Sequence, residues 1–248
     1  MVYDNNDINS ENYYTSLNSY ISSEFVKIKN IRGKSEIQLF AYNNCYQRYL
    51  NEHSWFMFLD VDEFLYIKNN KTISNFLSDD RFLNCNSIFI NYNEYGDSDL
   101  LKYENRSIFK RFTKSDYRTC GKSLIRGGIK DAIIDIHKPL HINNYCNSIG
   151  ESEELYKNTI FISKIVVDSA ELKHFITKSL EEFCQRLIKG WPNIKKFSKA
   201  YYEFVEIKIR YYFSINKITE YKYNILKSFI INENYLNELK FKLKESKK

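Results

Sequence analysis

The sequence predicts an α/β fold with a largely parallel sheet flanked by helices. Segments of strand-like and helix-like pattern alternate through the first 60 residues, which is typical of βαβ units. The run WFMFL at 55–59 is short and fully apolar, as in a central strand that is buried on both faces. A length of 248 residues suits one such domain, alone or with a small appendage.

The N-terminal elements follow from hydrophobic periodicity. In chain order they are a strand end, a helix, an alternating strand, a second helix and the buried strand, at 1–4, 11–22, 25–29, 36–50 and 55–59. The apolar residues of the second helix recur at helical spacing: Ile37, Phe40, Ala41, Cys45 and Tyr49. We therefore expect a strand, a helix and a strand to repeat before residue 60.

The middle of the chain is rich in strand-like runs, and the end is helical. The predicted strands cover 86–92, 107–112, 121–126, 132–137 and 159–167. A capping box of Ser179 and Glu182 marks a helix start, and Gly190 with Pro192 marks its end. We expect a main domain at 1–190 and a packed helical extension at 191–248.

Composition and charge exclude several classes of protein. Apolar residues make up 43% and charged residues 27%, which excludes disorder, collagen and coiled coil. The net charge of +6 suits an anionic small molecule as well as a polymer. A nucleic-acid-binding module would need basic and aromatic residues interleaved on one face, and an acidic cluster follows the buried strand instead. We therefore predict no nucleic-acid partner.

The cysteines and the termini indicate a location. Five cysteines form an odd set without a CxxC pair, which predicts reduced, mostly buried thiols in a cytosolic compartment. Cys45 and Cys184 lie on apolar helix stripes and are expected in the core. The N-terminus is polar and acidic, unlike a signal peptide, and no apolar run is long enough to span a membrane.

The acidic cluster Asp60-Val61-Asp62-Glu63-Phe64 is the strongest chemical signal. In extended backbone Asp60 and Asp62 point to the same side, after a strand whose carboxyl end is a usual ligand position. Two carboxylates there can hold a hard divalent cation together with a diphosphate. A solvated acidic turn is the plain alternative. An EF-hand is excluded because Phe64 takes a position that such a loop needs for a ligand.

The surrounding sequence resembles a known family. Residues 38–67 read QLFAYNNCYQRYLNEHSWFMFLDVDEFLYI and resemble the core of GT-A glycosyltransferases, the family-2-like enzymes and the related glycosyltransferase family 92. Further segments agree in order: VYDNN with Asp7 (2–7), NYNEYGDSDLLKYENRSIFKRF (91–112), GKSLIR (121–126) with DIHKP (135–139), and LKHFITKSLEEFCQRLIKG (172–190). The usual Trp after the acidic motif is replaced by Tyr92 or Tyr95. The resemblance covers about 2–190.

The resemblance implies a fold and an activity. The implied fold is a Rossmann-like mixed sheet flanked by helices. The implied activity is metal-dependent, inverting sugar transfer to a hydroxyl group of a carbohydrate or glycoconjugate. The expected donor is a nucleotide-sugar, namely a UDP-sugar. Mn²⁺ or Mg²⁺ is the implied cofactor. The location expected is cytoplasmic, or peripheral at a membrane where acceptors are made. In the family a strand–helix unit with an Asn-Glu pair precedes VYDNN, and we expect that unit to be missing. A truncated or degenerate domain that binds a partner or glycan without turnover is therefore the alternative.

Site residues follow from the acidic cluster and the resemblance. The residues predicted to bind the metal are Asp60, Asp62 and, by resemblance, His174. The residues predicted to bind the donor are Asp4, Asn5, Asp7, Asp60 and Lys178. Glu63 is expected to buttress the motif by hydrogen bonds. The alternatives are a strand-end cap for Asp4 and a hydrogen-bonded histidine at a strand–helix junction for His174.

The acceptor side is less defined. His137 and Tyr95 are predicted to line the acceptor pocket; His141 cannot share a helical face with His137 because Pro139 lies between them. Inverting transfer needs a general base. The candidates are Glu94, Asp97, Asp99, Asp131 and Asp135, and Asp97 is chosen because its segment follows the metal motif. Lys122 and Arg126 are equally consistent with phosphate contacts and with solvated strand charges.

Overall fold

The computed structural model describes residues 1–6, 13–34, 37–69, 71–153, 164–191 and 194–245. The strands are β1 (Val2–Asp4), β2 (Ile28–Asn30), β3 (Trp55–Met57), β4 (Glu63–Ile67), β5 (Ser87–Tyr95), β6 (Ser115–Arg126), β7 (Ile133–Ile134), β8 (Pro139–Leu140), β9 (Tyr145–Cys146) and β10 (Ala170–His174). The helices are α1 (Tyr13–Ser16), α2 (Asn18–Ser22), α3 (Gln38–Tyr49), α4 (Ile73–Leu77), α5 (Ile108–Arg111), α6 (Leu180–Lys189), α7 (Lys199–Ile215), α8 (Glu220–Leu226) and α9 (Glu233–Glu245).

The main sheet is mixed. Its strand order is β3-β6-β5-β10-β4, and β9 also pairs with β5. β5 runs parallel to β9 and β10, whereas the β3–β6, β5–β6 and β4–β10 pairs are antiparallel. β1 and β2 form a separate parallel pair, as a βαβ unit requires. The α/β class is confirmed in this general form, and the sheet is mixed, as the family resemblance implies. The parallel sheet predicted from the alternation of strands and helices is wrong for the main sheet.

The strand predicted at 55–59 is shorter and lies elsewhere in the sheet than expected. Only Trp55–Met57 is a strand, and in the described residues it pairs with β6 alone. It is therefore an edge strand, and of its three residues only Phe56 is buried. An apolar run indicates that a segment is buried but does not indicate how many strands lie beside it. The prediction that this strand lies in the centre of the sheet was therefore wrong.

Other elements also differ from the predictions. The segment 107–112 contains the helix α5, not a strand. Residues 159–163 of another predicted strand lie outside the described residues, and 164–167 form no strand. β4 and β10, which pair with each other, were not predicted. Short apolar runs fit either a strand or a helix, so their neighbours in the fold decide.

The helix at 180–189 begins and ends as predicted. The Ser179 hydroxyl accepts a hydrogen bond from the Glu182 amide, and the Glu182 side chain accepts from the Ser179 amide, so the capping box is present. The helix ends at Gly190, whose φ of +75° is in the left-handed region that favours glycine.

The C-terminal helices share one core with α6. The buried residues of this cluster come from α6, α7, α8 and α9 and the connections between them, including Leu187, Ile209, Leu226 and Leu239. The sheet has its own cluster, with Ile88, Ile90 and Leu172 among its members. The helical extension therefore packs on the end of the main domain through α6.

The cysteine prediction is corrected at two positions. Cys85 and Cys146 form a disulfide, which joins the start of β5 to β9. Cys45, Cys120 and Cys184 are free, and Cys45 is buried as expected. The two bonded residues are 61 positions apart, so their spacing carries no signal in the sequence. Disulfides persist in oxidising compartments, and the argument from reduced thiols to the cytosol therefore loses its basis.

None of the helices in the described ranges has both the length and the apolar composition needed to cross a bilayer.

Candidate active site

The acidic cluster forms the turn between β3 and β4. Glu63 is the first residue of β4 and is buried, whereas Asp60 is exposed and Asp62 is half-buried. The Asp60 amide donates a hydrogen bond to Glu63 Oε2 at 2.9 Å. The buried Glu63 thereby fixes the turn that presents Asp60 and Asp62 to solvent.

A buried lysine pairs with two of the three carboxylates of this cluster. Lys122 Nζ on β6 lies 2.8 Å from Glu63 Oε2 and 3.2 Å from Asp60 Oδ2, and the residue is 1% exposed. Burial acts to lower the pKa of Lys122, but the charges of Glu63 and Asp60 outweigh burial and raise the pKa above its usual value. The expectation of a solvated strand charge is therefore wrong.

A Cβ at the neighbouring Gly121 would lie 1.9 Å from the Ile90 carbonyl oxygen, so glycine is needed where β6 meets β5.

Two side chains of α3 complete the surroundings of Asp60. Gln38 Nε2 donates to Asp60 Oδ1 at 3.1 Å, and the Tyr42 hydroxyl donates to the same oxygen at 3.4 Å. The Tyr42 ring stacks on Phe58 with centroids 4.7 Å apart. Gln38 and Tyr42 were not predicted as site residues. Their spacing of one helical turn was the available signal, because it places both on one helix face.

Asp62 differs from Asp60 in its partners. Its backbone carbonyl accepts a hydrogen bond from the Phe175 amide at 3.0 Å, which ties the turn to the end of β10. Across the described ranges its carboxylate has no hydrogen bond or ion pair. Asp62 is therefore a half-exposed anion with both oxygens available to a ligand.

Behind the turn, Tyr92 joins Glu63 to His174. The Tyr92 hydroxyl donates to Glu63 Oε1 at 2.7 Å, and its ring lies 4.6 Å from the His174 ring, centroid to centroid. Burial and then the charge of Glu63 raise the pKa of Tyr92. The Tyr92 hydroxyl consequently stays protonated and remains a donor to Glu63.

His174 lies in a row of acidic cross-strand partners. The sheet register places it opposite Glu63 on β4 and opposite Glu94 on β5. His174 Nδ1 is 3.7 Å from Glu94 Oε1, which is longer than a hydrogen bond, and this buried nitrogen has no hydrogen-bond partner in the described residues. The alternative of a histidine with its hydrogen bonds satisfied does not hold at Nδ1.

Glu94 is buried and compensated by charge. Arg118 Nε donates to Glu94 Oε2 at 2.8 Å. Burial acts to raise the pKa of Glu94, but contacts with His174, Tyr211 and Arg118 together lower it below its usual value. Glu94 is therefore a stable carboxylate and a weak proton acceptor.

The described residues do not assemble the predicted metal set. No group of three or more His, Cys, Asp or Glu side chains in those ranges is arranged to hold a metal ion. The oxygens of Asp60 and Asp62 are of the chemical type that Mg²⁺ and Mn²⁺ prefer, and one or two carboxylates suffice when substrate phosphates supply the other ligands. The two aspartates therefore fit such an ion, and the part of His174 stays a prediction.

The side-chain contacts of Asp97 among the described residues are with other parts of the chain than this turn. It is 2% exposed, and its Oδ2 is 2.5 Å from Nζ of Lys222, which belongs to α8. The Tyr212 hydroxyl also donates to Asp97 Oδ2, and the Asp97 amide donates to Asn216 Oδ1 at 2.5 Å. This placement ties Asp97 to the C-terminal helices and does not favour its predicted role as the general base.

The predicted donor-binding residues are dispersed. Asp4 is buried on β1, and Arg32 Nε donates to its Oδ2 at 2.7 Å. Asn5 is exposed, and Asp7 lies outside the described residues. Lys178 is half-buried just before the α6 capping box, with a φ of +55°. Asp4 also accepts from the Asn6 amide, so the alternative of a strand-end cap describes its contacts.

Of the two predicted acceptor residues, His137 contacts Tyr92 and Tyr95 is the last residue of the same strand, β5. His137 Nδ1 is 3.0 Å from the Gly121 carbonyl oxygen, and its ring meets the Tyr92 ring edge-on. His137, Lys122 and Phe58 line a shallow pocket, open to solvent, beside the acidic turn. Tyr95 stacks on Phe175, with centroids 4.6 Å apart.

The side chain of Arg126 makes its contacts within the fold. Its Nε donates to the Cys85 carbonyl at 2.7 Å, and its guanidinium lies over the Trp55 ring at 4.4 Å. The expectation of a phosphate contact or a solvated charge at Arg126 is therefore wrong, because its donors are used within the fold.

Comparison with known proteins adds one result. A family model described as glycosyltransferase family 92 matches residues 1–245, which include the C-terminal helices beyond the stretch whose motifs carried the resemblance. No curated protein matches the chain.

Proposed function

The chain belongs to glycosyltransferase family 92, and on this premise we propose that it transfers a sugar from a UDP-sugar to a hydroxyl group of a carbohydrate or glycoconjugate. The observation that carries the proposal is the β3–β4 turn, where the Asp62 carboxylate has no partner among the described residues and lies beside the anchored Asp60. The turn is presented to solvent by a buried frame and is open to a ligand.

In this proposal the residues around the turn have distinct parts. Asp60 and Asp62 hold Mn²⁺ or Mg²⁺ together with the donor diphosphate. Such an ion would neutralise the diphosphate and help it to leave. Lys122, Gln38 and Tyr42 orient Asp60, because each donates to its carboxylate. Glu63 and Tyr92 hold the turn from below.

The transfer step follows the inverting pattern that the family resemblance implies. The acceptor hydroxyl oxygen forms a bond to the anomeric carbon while the bond from that carbon to the diphosphate oxygen breaks. The hydroxyl proton goes to a base, and the nucleoside diphosphate leaves. His137 is a proposed acceptor contact because it lines the pocket beside the turn.

A non-catalytic binding domain is the competing proposal. In the described residues β1 pairs with β2 alone and β3 pairs with β6 alone, so one edge of each strand has no partner strand there. Such unpaired edges are what an incomplete sheet would leave. A domain of this kind would bind a glycan or a partner without turnover.

The test is calorimetric titration of UDP with and without Mn²⁺. We expect the wild-type protein to bind UDP only with Mn²⁺, and Asp62→Asn to lose this binding by at least about tenfold because one of two ligand carboxylates is gone. Asp168→Asn, at an exposed aspartate outside the turn and outside the candidate bases, is the matched control and should bind as wild type.

Turnover separates the two proposals. Hydrolysis or transfer from one of a panel of UDP-sugars, lost in Asp62→Asn, would support the enzyme. Metal-dependent UDP binding without turnover on any donor would favour the binding domain. A folded protein that binds no UDP in either condition would contradict the proposed donor site.

A further inference from the structure

A second pocket lies between the loop after β10 and the helices α6 and α7. It is a shallow depression that is open to solvent. Phe183 and Trp191 contribute apolar walls. Thr177, Arg186, Lys208 and Tyr211 contribute the polar groups. We call this the α6–α7 pocket; none of its lining residues belongs to the acidic turn.

Two cations line the pocket, the exposed Arg186 and the half-buried Lys208. Arg186 Nη1 donates to the Ile176 carbonyl at 3.1 Å, and Lys208 Nζ lies 4.9 Å from the centre of the Phe204 ring. In the described residues no carboxylate lies within ion-pair distance of either side chain. Burial, and then the nearby charge of Arg186, lower the pKa of Lys208 below its usual value. Burial and the like charge of Arg186 therefore both disfavour the charged form of Lys208.

The Thr177 hydroxyl lacks a hydrogen-bond partner among the described residues, whereas the Tyr211 hydroxyl lies near Glu94. Thr177 is 2% exposed, and its buried Oγ1 has no hydrogen-bond partner in the described residues. The Tyr211 hydroxyl is buried without a well-formed hydrogen bond there, although Glu94 is near it. Burial and the charge of Glu94 raise the pKa of Tyr211, so this group stays a donor. Unpaired buried hydroxyls are costly unless a ligand or water satisfies them.

We propose that the α6–α7 pocket binds an anionic group, a carboxylate or a phosphate, carried by a polar ligand. Thr177 and Lys208 line the pocket as donors, and the exposed Arg186 adds a second positive charge beside Lys208. An anion would compensate Arg186 and Lys208 and would satisfy the orphaned Thr177 hydroxyl. The apolar wall at Trp191 suits the body of a ring to which such a group is attached. The inference does not depend on the proposed donor site.

Tryptophan fluorescence gives a direct test. The chain has two tryptophans, so Trp55→Phe leaves Trp191 in the pocket as the only reporter. This protein is titrated with inorganic phosphate, with glucuronate and with neutral glucose at constant ionic strength. We expect a saturable change with at least one anion and none with glucose.

Variants at Lys208 assign the response to the pocket. Lys208→Met keeps the aliphatic stem and removes the charge, and we expect it to weaken anion binding by at least about tenfold. Lys208→Arg keeps the charge and should bind within about threefold of the parent. Lys199→Met, at an exposed lysine on the same helix, is the matched control and should not change binding.

Each outcome decides the inference. Preference for glucuronate supports a sugar acid as ligand, and preference for phosphate supports a phosphate ester. The absence of a saturable change with either anion would overturn the inference. So would equal binding by Lys208→Met and the parent, since the anion would then bind elsewhere. If Lys208→Met fails to fold, Thr177→Val replaces it, with an expected loss of about threefold or more, and unchanged binding would overturn the inference.

Discussion

At the scale of single residues, Asp97 shows how burial changes the interpretation of a carboxylate. Its sequence position after the acidic motif suggested a base that faces the acceptor. In the fold it is buried against Lys222, which is 1% exposed, and against Tyr212. Its partners on α7 and α8 connect the end of β5 to the helical extension. We therefore interpret Asp97 as a residue that holds the extension in place.

The first prediction concerns this ion pair. Asp97→Asn leaves the buried Lys222 ammonium with only the exposed Asp99 as a counterion, 3.7 Å from Nζ, and we expect a loss of about 3 kcal/mol in the free energy of unfolding. The double variant Asp97→Asn/Lys222→Met should recover most of that loss, because no unpaired charge remains. Urea unfolding followed by circular dichroism measures both.

Activity separates a structural role from a catalytic one. The folded double variant should keep kcat within about threefold of wild type if Asp97 acts only on stability. A loss of kcat of a hundredfold or more, with unfolding unchanged, would instead establish Asp97 as the base.

The second prediction concerns pH and Glu94. Its pKa is lower in the folded protein than in the unfolded chain, so the stability that it contributes is present above its unfolded pKa, about 4.3. That contribution is lost as pH falls through the lower folded pKa. We therefore expect the unfolding free energy to decrease below about pH 5 with a steeper slope in wild type than in Glu94→Gln. The unfolding free energy of both proteins is measured by urea unfolding between pH 3 and pH 7. If it depended on pH in the same way in wild type and in Glu94→Gln, the assignment would be contradicted.

At the scale of elements, the disulfide holds two segments that the sheet alone joins weakly. β9 has two residues and pairs with β5 at Ser87 and Ile88. The bond between Cys85 and Cys146 fixes this short pairing at one end of the main sheet. The same segment leads into β5, the strand that carries Tyr92 and Glu94. The covalent link therefore supports the strand behind the candidate site.

The third prediction concerns this bond. A closed loop of 61 residues predicts that the disulfide contributes about 4 kcal/mol to stability through the entropy of the unfolded chain. A reducing agent should lower the urea midpoint of wild type by the corresponding amount. The Cys85→Ser/Cys146→Ser variant should already have the lower midpoint and should not respond. Titration of free thiols in the oxidised, denatured protein should find three of the five cysteines, and a count of five would contradict the bond.

At the scale of the whole molecule, the sheet and the helical extension are joined through α6. One face of α6 packs in the same core as α7, α8 and α9. The capping box that starts α6 also binds the main domain, because Arg111 on α5 donates to Glu182 at 2.7 Å. The predicted boundary at 190 thus separates residues that share a core.

The fourth prediction concerns that boundary. A fragment of residues 1–190 exposes Leu180, Phe183 and Leu187 and leaves Asp97 without its partners. We expect it to lack a cooperative thermal transition and to bind a hydrophobic dye more strongly than the full chain. A cooperative transition with UDP binding equal to that of the full chain would show that 1–190 is an independent domain.

The sequence by itself determined the local features. The helix over 36–50, the capping box at Ser179 and the Gly190 stop follow from spacing and from chemistry within one helical turn, and the structure contains them. The family assignment also came from linear motifs, which the match over residues 1–245 supports. Such features need no partner from a distant part of the chain, so the order of residues suffices to predict them.

Only the tertiary structure decided which distant residues meet. Lys122, Gln38 and Tyr42 gather around Asp60 because β6 and α3 pack beside the β3–β4 turn. The edge position of β3, the disulfide and the burial of Asp97 depend in the same way on pairings across long stretches of chain. Each of these contacts requires the closure of a long loop, and the stabilisation comes from packing that no local pattern records.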